Sequence, residues 1–256
     1  MRRQIAAIAA GAAVLSSSLF AAGLQTRTAD DTLTQALFNR TKVTVGSPEH
    51  SVFGSGVWLG QGHVLTANHM FREYKKGDPI TVAINGRRIP ATLRAQGDLN
   101  EADLALLDVD RASASLISWQ GPMVCSKPES VAAALQVISF DQGFNTFAAP
   151  EHAWSSKDQV WSERTTATFS PGVSGSPVFD VSTGCLAGII SHDEVEGALV
   201  GDDQGGQAKC IQATRQGTAP PAGVTCMVSA YTQFSALDRL RVFLNDAGVS
   251  LKPTGR

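Results

Sequence analysis

The chain has 256 residues, 43% of them hydrophobic and 17% charged, with 24 Gly and 11 Pro, a composition that supports a sizeable core and excludes disordered and fibrous classes. Its 21 Lys and Arg nearly balance 23 Asp and Glu. No basic stripe or arginine-aromatic cluster interrupts that balance, so the electrostatic footprint of a nucleic-acid partner is missing.

Arg2 and Arg3 precede an apolar run from Ile5 to Gly23, and no acid occurs before Asp30. Positive start, apolar stretch and the small residues Ala21-Ala22-Gly23 read as a secretory signal over residues 1–23, cleaved on export to the periplasm or the medium. An uncleaved anchor is the competing reading, because about twenty apolar residues just span a bilayer. No second membrane segment follows, so no stable membrane association is expected once the signal is removed. Residues 24–39 read as an N-terminal extension.

From residue 40 onward, short β-like runs alternate with Gly, Asn, Asp and Pro: Val43–Val45, Val52–Leu59, His63–Ala67, Ile80–Ile84, Ile89–Ala95 and Leu104–Val109. Their spacing predicts an antiparallel sheet or barrel over residues 40–112. Residues 113–123 are rich in Ser, Ala and Gly and read as a linker. A second β unit over 124–232 is predicted from Gln136–Phe140, Val160–Phe169, Pro177–Asp180, Leu186–Ser191 and Cys226–Tyr231. Within it, residues 193–224 hold many Gly and little periodicity, which predicts a long functional surface loop. The last element, in residues 233–256, is the one convincing helix: Ser235 can cap it, Asp238 can complete a capping box, and Leu237, Leu240, Phe243, Leu244 and Ala247 recur at helical spacing. It is expected to lie against the second unit.

Cys125, Cys185, Cys210 and Cys226 make an even count that fits disulfides in an oxidising compartment, with three pairings open. No CxxC or HExxH occurs, so a zinc site has no sequence support, and no cofactor is expected.

Three segments carry reactive side chains, in the order His, Asp, Ser. They are Gly54-Ser55-Gly56 followed by Thr66-Ala67-Asn68-His69, then Asp103-Leu104-Ala105-Leu106-Leu107, then Gly172-Val173-Ser174-Gly175-Ser176-Pro177. A serine hydroxyl is a poor nucleophile without a neighbouring base, and that base needs a partner to hold its tautomer and stabilise its cation. Asp103 opens an apolar run, so its carboxylate is expected where solvent is excluded. Gly172 and Gly175 permit the tight turn that aims the Ser174 hydroxyl and nearby amides at one carbonyl.

The set resembles the trypsin-like (chymotrypsin-fold) serine protease family, whose GSG, TAxH, DxAL and GxSGxP patterns are all present over residues 54–178, in the chain order typical of that family. The resemblance implies an all-β fold of two antiparallel six-stranded barrels with a C-terminal helix, the site between them, and a protein or peptide substrate. It implies His69 as general base, Asp103 as its orienting partner and Ser174 as nucleophile, with the amides of Gly172 and Ser174 as oxyanion hole. Ser191, His192 and Asp193 match the segment that meets the substrate backbone and walls the specificity pocket, and Thr168 matches the pocket base. A base that offers a hydroxyl implies preference for uncharged side chains. The motif reads GVSGSP where animal digestive enzymes have GDSGGP, which is closer to the bacterial branch. Val173 replaces the Asp that accepts a newly cut amino terminus, so no trypsin-type zymogen switch is expected. The alternative reading is a non-catalytic binding protein on the same fold, using the 193–224 loop as its contact surface.

Overall fold

The computed structural model describes residues 28–99, 102–127, 134–141, 143–148, 162–165, 172–199, 226–235 and 237–249. Its first unit is a closed antiparallel barrel of β1 (Thr41–Ser47), β2 (His50–Gly60), β3 (His63–Thr66), β4 (Ile80–Ile84), β5 (Arg87–Gln96) and β6 (Ala105–Val109), in the spatial order β1-β2-β3-β6-β5-β4. β4 returns to pair with β1, so the barrel has no free edge. Alternation builds its interior: Val43 and Val45 of β1 and Ile80, Val82 and Ile84 of β4 point inward while their neighbours face outward. β6 departs from that rule. Leu104, Ala105, Leu106 and Leu107 are all buried, because one face of the strand fills the barrel and the other is covered as well.

The second unit comprises β7 (Ala134–Ser139), β8 (Gly143–Ala148), β9 (Ser162–Thr165), β10 (Pro177–Asp180), β11 (Leu186–Leu199) and β12 (Cys226–Ser235). They form one antiparallel sheet in the order β8-β7-β10-β11-β12-β9. Its six strands match the expectation, while closure into a second barrel is not seen among the described residues. The junction between the units is tightly packed. A short helix, α2 (Arg111–Ala114), straddles the start of the predicted linker, which also holds the buried Trp119, whose carbonyl accepts a hydrogen bond from Trp58 Nε1 at 2.7 Å. Beyond it, Val124 makes a parallel bridge to Leu186, and a Cys125–Cys185 disulfide fixes that register at a Cα–Cα distance of 4.9 Å. Cys226 starts β12, and Cys210 lies outside the described residues.

Several elements differ from the sequence-based expectation. A helix, α1 (Ala29–Phe38), occupies the supposed extension, begun by a capping box in which the Thr28 hydroxyl accepts from Asp31 N–H and the Asp31 carboxylate accepts from Thr28 N–H. It is weakly amphipathic, burying only Thr32 and Ala36, which is why periodicity does not reveal it. It docks on the β10–β11 turn, where a methyl at Gly184 would lie 2.8 Å from Ala29 Cα. β8 was not foreseen, and β11 runs on to Leu199, into the segment read as loop. Ser235 ends β12 instead of capping the helix: its hydroxyl accepts from Ile189 N–H at 3.1 Å. The C-terminal helix, α3 (Leu237–Asp246), buries Leu237, Leu240, Phe243 and Leu244 as predicted. It also reaches the first unit, where the Arg94 guanidinium of β5 donates to the Ala247 carbonyl at 2.9 and 3.2 Å. None of the described helices is long and apolar enough to cross a membrane.

Candidate active site

β3 and β6 are neighbours in the barrel, paired from His63↔Asp108 to Thr66↔Ala105, so the residues just past the end of one and just before the start of the other must meet. Those residues are His69 and Asp103. His69 sits in a 3₁₀ turn, Asn68–Phe71, that breaks the chain away from β3. Asp103 grips it twice: Oδ2 lies 2.7 Å from His69 Nδ1, and Oδ1 accepts from His69 N–H at 2.6 Å. The carboxylate is 3% exposed and the imidazole 23%. Burial opposes ionisation of Asp103, but the hydrogen bond and charge of the His69 ring, the Ser191 hydroxyl and the His69 amide together hold its carboxyl below the ordinary value. The imidazole therefore has an ionised partner on Nδ1, which fixes Nε2 as the atom open to proton transfer.

The motif residues around His69 explain themselves by contact. Thr66 Oγ1 donates to the Ser55 carbonyl at 2.6 Å and so ties the end of β3 to β2. Ala67 is completely buried, and a methyl at Gly175 would come within 3.1 Å of its nitrogen. Asn68 donates to the Gly97 carbonyl at 2.6 Å and accepts from Gln96 Nε2 at 2.8 Å, which anchors the turn to the loop that leads into Asp103.

Ser174 arrives from the second unit, three residues before β10 begins at Pro177. Gly172 and Gly175 adopt φ of +99° and +84°, conformations that L side chains rarely take. Between them, Ser176 N–H donates to the Val173 carbonyl at 2.8 Å, closing a tight turn around the Ser174 position. That turn is seated on the first barrel: the Ser174 carbonyl accepts from Ser55 N–H at 2.8 Å, and the Ser55 hydroxyl donates to the Gly172 carbonyl at 3.0 Å and accepts from Phe140 N–H at 3.2 Å. A methyl at Gly54 would lie 2.7 Å from both Met70 Sδ and the Ser174 carbonyl, so the nucleophile candidate packs against the residue next to His69. Among the described residues, the N–H groups of Gly172 and Ser174 have no hydrogen-bond acceptor, and no hydrogen bond joins Ser174 Oγ to His69. In unliganded enzymes such catalytic bonds are commonly long and tighten on substrate binding.

Ser191 has a second function in this geometry. Its hydroxyl donates to Asp103 Oδ2 at 2.5 Å, so its side chain orients the carboxylate. Sequence reasoning missed this contact and the bridging hydroxyl of Ser55. Only the GSG motif hinted at the second. His192 lies in the register shift of β11 between Ile190, which pairs with Phe234, and Asp193, which pairs with Thr232. Thr168 lies outside the described residues. Val173 is buried in the core, where a carboxylate would find no aqueous partner.

Residues 54–189 match the profile of the trypsin-like peptidase domain. No curated protein matches the chain in sequence. Among solved structures, the active form of the Rv3671c protease from M. tuberculosis is 14% identical, with a TM-score of 0.54 over 88% of this chain and 87% of that one. A serine endoprotease from Yersinia pestis is 17% identical, with a TM-score of 0.54 over 87% and 67%. The HtrA-type protease AlgW, solved with a tripeptide, is 18% identical, with a TM-score of 0.53 over 88% and 64%. These similarities carry the fold.

Proposed function

Since the chain belongs to the trypsin-like peptidase family and is a serine endopeptidase, we propose that it is exported and hydrolyses peptide bonds through His69, Asp103 and Ser174. His69 Nε2 takes the Ser174 proton as Oγ attacks the scissile carbonyl carbon. Asp103, held ionised, keeps the Nδ1 proton in place and stabilises the imidazolium that forms. The amides of Gly172 and Ser174 receive the oxyanion of the tetrahedral intermediate. Collapse passes the proton from His69 to the leaving amine and leaves an acyl group on Ser174. A water molecule, deprotonated by His69 in turn, releases the acid product. The observation that carries this reading is the double grip of Asp103 on His69 beside a Ser174 turn seated on the same barrel.

The specificity residues follow the same frame. The family resemblance assigns Thr168 to the pocket base and Ser191, His192 and Asp193 to its wall, which supports a preference for uncharged side chains at the cleaved residue. Val173 offers no carboxylate to an inserted amino terminus, and α1 occupies the far end of β10 from Ser174, so activity needs no newly cut terminus. Export is supported by the apolar run at residues 5–23 and by the Cys125–Cys185 disulfide, which persists in an oxidising compartment.

A fluorophosphonate probe tests the assignment. It is expected to label the purified protein at Ser174 and to label neither Ser174→Ala nor His69→Ala, while all three share the same melting profile. A folded protein that is not labelled, or labelling that survives Ser174→Ala, would replace this reading with a binding role on a protease fold.

A further inference from the structure

A cavity of about 280 Å³ lies away from the Ser174 turn, between α3 and the loop that follows β5. Its walls are Ala95 to Asp98 and Ala102 on one side and Arg239, Val242, Phe243 and Asp246 on the other. Positions 239, 242, 243 and 246 stand at i, i+3, i+4 and i+7 on one helix face, so an apolar strip runs between a cation and an anion. Arg239 Nε is buried with no hydrogen-bond partner, and among the described residues neither the Arg239 guanidinium nor the Asp246 carboxylate has an ion-pair partner.

The placement of these charges opposes the stability of the helix that bears them. Arg239 lies in the first turn of α3 and Asp246 ends it, whereas the helix dipole favours an acid at the start and a base at the end. A pair of residues that breaks a local rule, lacks partners and lines a cavity is the signature of a site kept for a ligand.

We propose that this cavity binds a short apolar peptide with both ends free, its carboxylate on Arg239 and its ammonium on Asp246. Planar guanidinium matches a carboxylate in bidentate fashion. Seven helical positions separate the two charges by about 10 Å along the axis, and roughly three extended residues span that length. Val242, 56% exposed, and Phe243 supply the apolar floor for the intervening side chain. A polyanion such as a phosphorylated ligand is disfavoured, because the Asp246 carboxylate lines the cavity together with Arg239. Tripeptides of this kind are end products of extensive protein digestion, which places the site on the product side of the chain's own reaction class.

The cavity is wired to the catalytic residues through its other wall. Gln96 and Gly97 hold Asn68, the residue before His69, and Ala102 donates its N–H to the Asp98 carbonyl at 2.7 Å immediately before Asp103. A peptide seated on α3 presses on that loop and changes turnover without entering the cleft.

The test uses the full chain carrying Ser174→Ala, ¹⁵N-labelled and titrated with Ala-Leu-Ala. Amide shifts are expected in residues 95–103 and 239–247. Acetylating the peptide's amino end or amidating its carboxyl end is expected to weaken binding by about tenfold each. Arg239→Gln and Asp246→Asn should do the same while leaving the melting temperature unchanged or raised, since each removes a charge that opposes the helix dipole. In the active protein, free tripeptide should alter turnover of a chromogenic substrate noncompetitively, and Arg239→Gln should abolish the effect. Equal binding of capped and uncapped peptides, shifts confined to the cleft around residues 172–191, or a purely competitive effect on turnover would overturn the proposal.

Discussion

His69 and Asp103 both hang from the closed barrel, one past the end of β3 and one before the start of β6, and the ladder between those strands sets their spacing. Ser174 hangs from the second sheet, on a turn whose own sheet contacts are few: Gly175 N–H to the Ile190 carbonyl, and Ile190 N–H to the Ser176 carbonyl. The rest of its support comes from the barrel, through Ser55, Gly54, Thr66 and Ala67. The proposed base and its partner are thus prearranged within one barrel, while the position of the proposed nucleophile is a property of the junction. The difference predicts that substitutions on the barrel side weigh mostly on chemistry, while substitutions at the junction weigh on chemistry and stability alike.

The largest effect is expected from Asp103→Asn. With the wrong hydrogen-bonding partner on Nδ1, His69 presents the wrong tautomer, and turnover should fall by about 10⁴-fold with the barrel intact. The same residue sets an acid limit on stability. Its carboxyl is held below the ordinary value of 3.8 in the folded protein, so its contribution is present above that value and is lost as pH falls through the lowered one. Acid-unfolding curves should therefore show wild type losing stability more steeply below about pH 4 than Asp103→Asn. A variant with the same acid slope as wild type would place the depressed carboxyl elsewhere.

Gly175→Ala strikes the junction itself. A methyl there would lie 2.1 Å from the Ser55 carbonyl oxygen and 2.3 Å from Thr66 Oγ1, at a φ of +84°. Destabilisation of about 3 kcal/mol or more is expected from strain and overpacking. Peptidase activity should drop by more than about a hundredfold, since small displacements of reacting groups cost that much. Denaturant melts and kinetics on the same preparation check both numbers, and a stable, active Gly175→Ala would show that the Ser174 turn does not depend on the barrel.

Ser55→Ala is milder and separates the two roles. It leaves Phe140 N–H and the Gly172 carbonyl without their partner in a partly buried place, which should cost about 1 kcal/mol. Released from that tether, Gly172 shifts its amide, and kcat should fall by about tenfold to a hundredfold with little change in KM, less than the loss of a whole oxyanion donor. A rise in KM alone would assign Ser55 to substrate binding instead.

The smallest effect on turnover is expected farthest from the junction. A chain starting at Gln35 loses the capping box and the first half of α1, and with them the contact to Gly184. The melting temperature should fall by a few degrees, for about 1 kcal/mol of cap and packing. Turnover per folded molecule should stay within about twofold, because the helix docks at the opposite end of β10 from Ser174. Activity that appears only with one defined terminus would show a zymogen-like role for α1.

Much of this was legible in the sequence because the requirement was local. Alternation in β1 and β4 marks strands whose one face fills the barrel, and the all-apolar run after Asp103 marks a strand covered on both faces. Glycines flanking Ser174 mark backbone angles that other residues avoid, and the His, Asp, Ser order with its surrounding motifs points to the family and to His69, Asp103 and Ser174 as candidates. By contrast, the hydroxyl of Ser55 meets Gly172 across 117 positions, and that of Ser191 meets Asp103 across 88. No composition or period encodes such contacts, since serine is unremarked wherever it occurs. The pair on α3, without an ion-pair partner among the described residues, was equally hidden, because Arg239 and Asp246 read as ordinary surface charges until the loop after β5 packs beside them to form a cavity. Sequence by itself determined which segments could be strands and which side chains could react. Tertiary structure decided which polar groups are taken out of water and left with a single partner, or with none, because desolvation is a property of how the chain packs on itself and of nothing shorter.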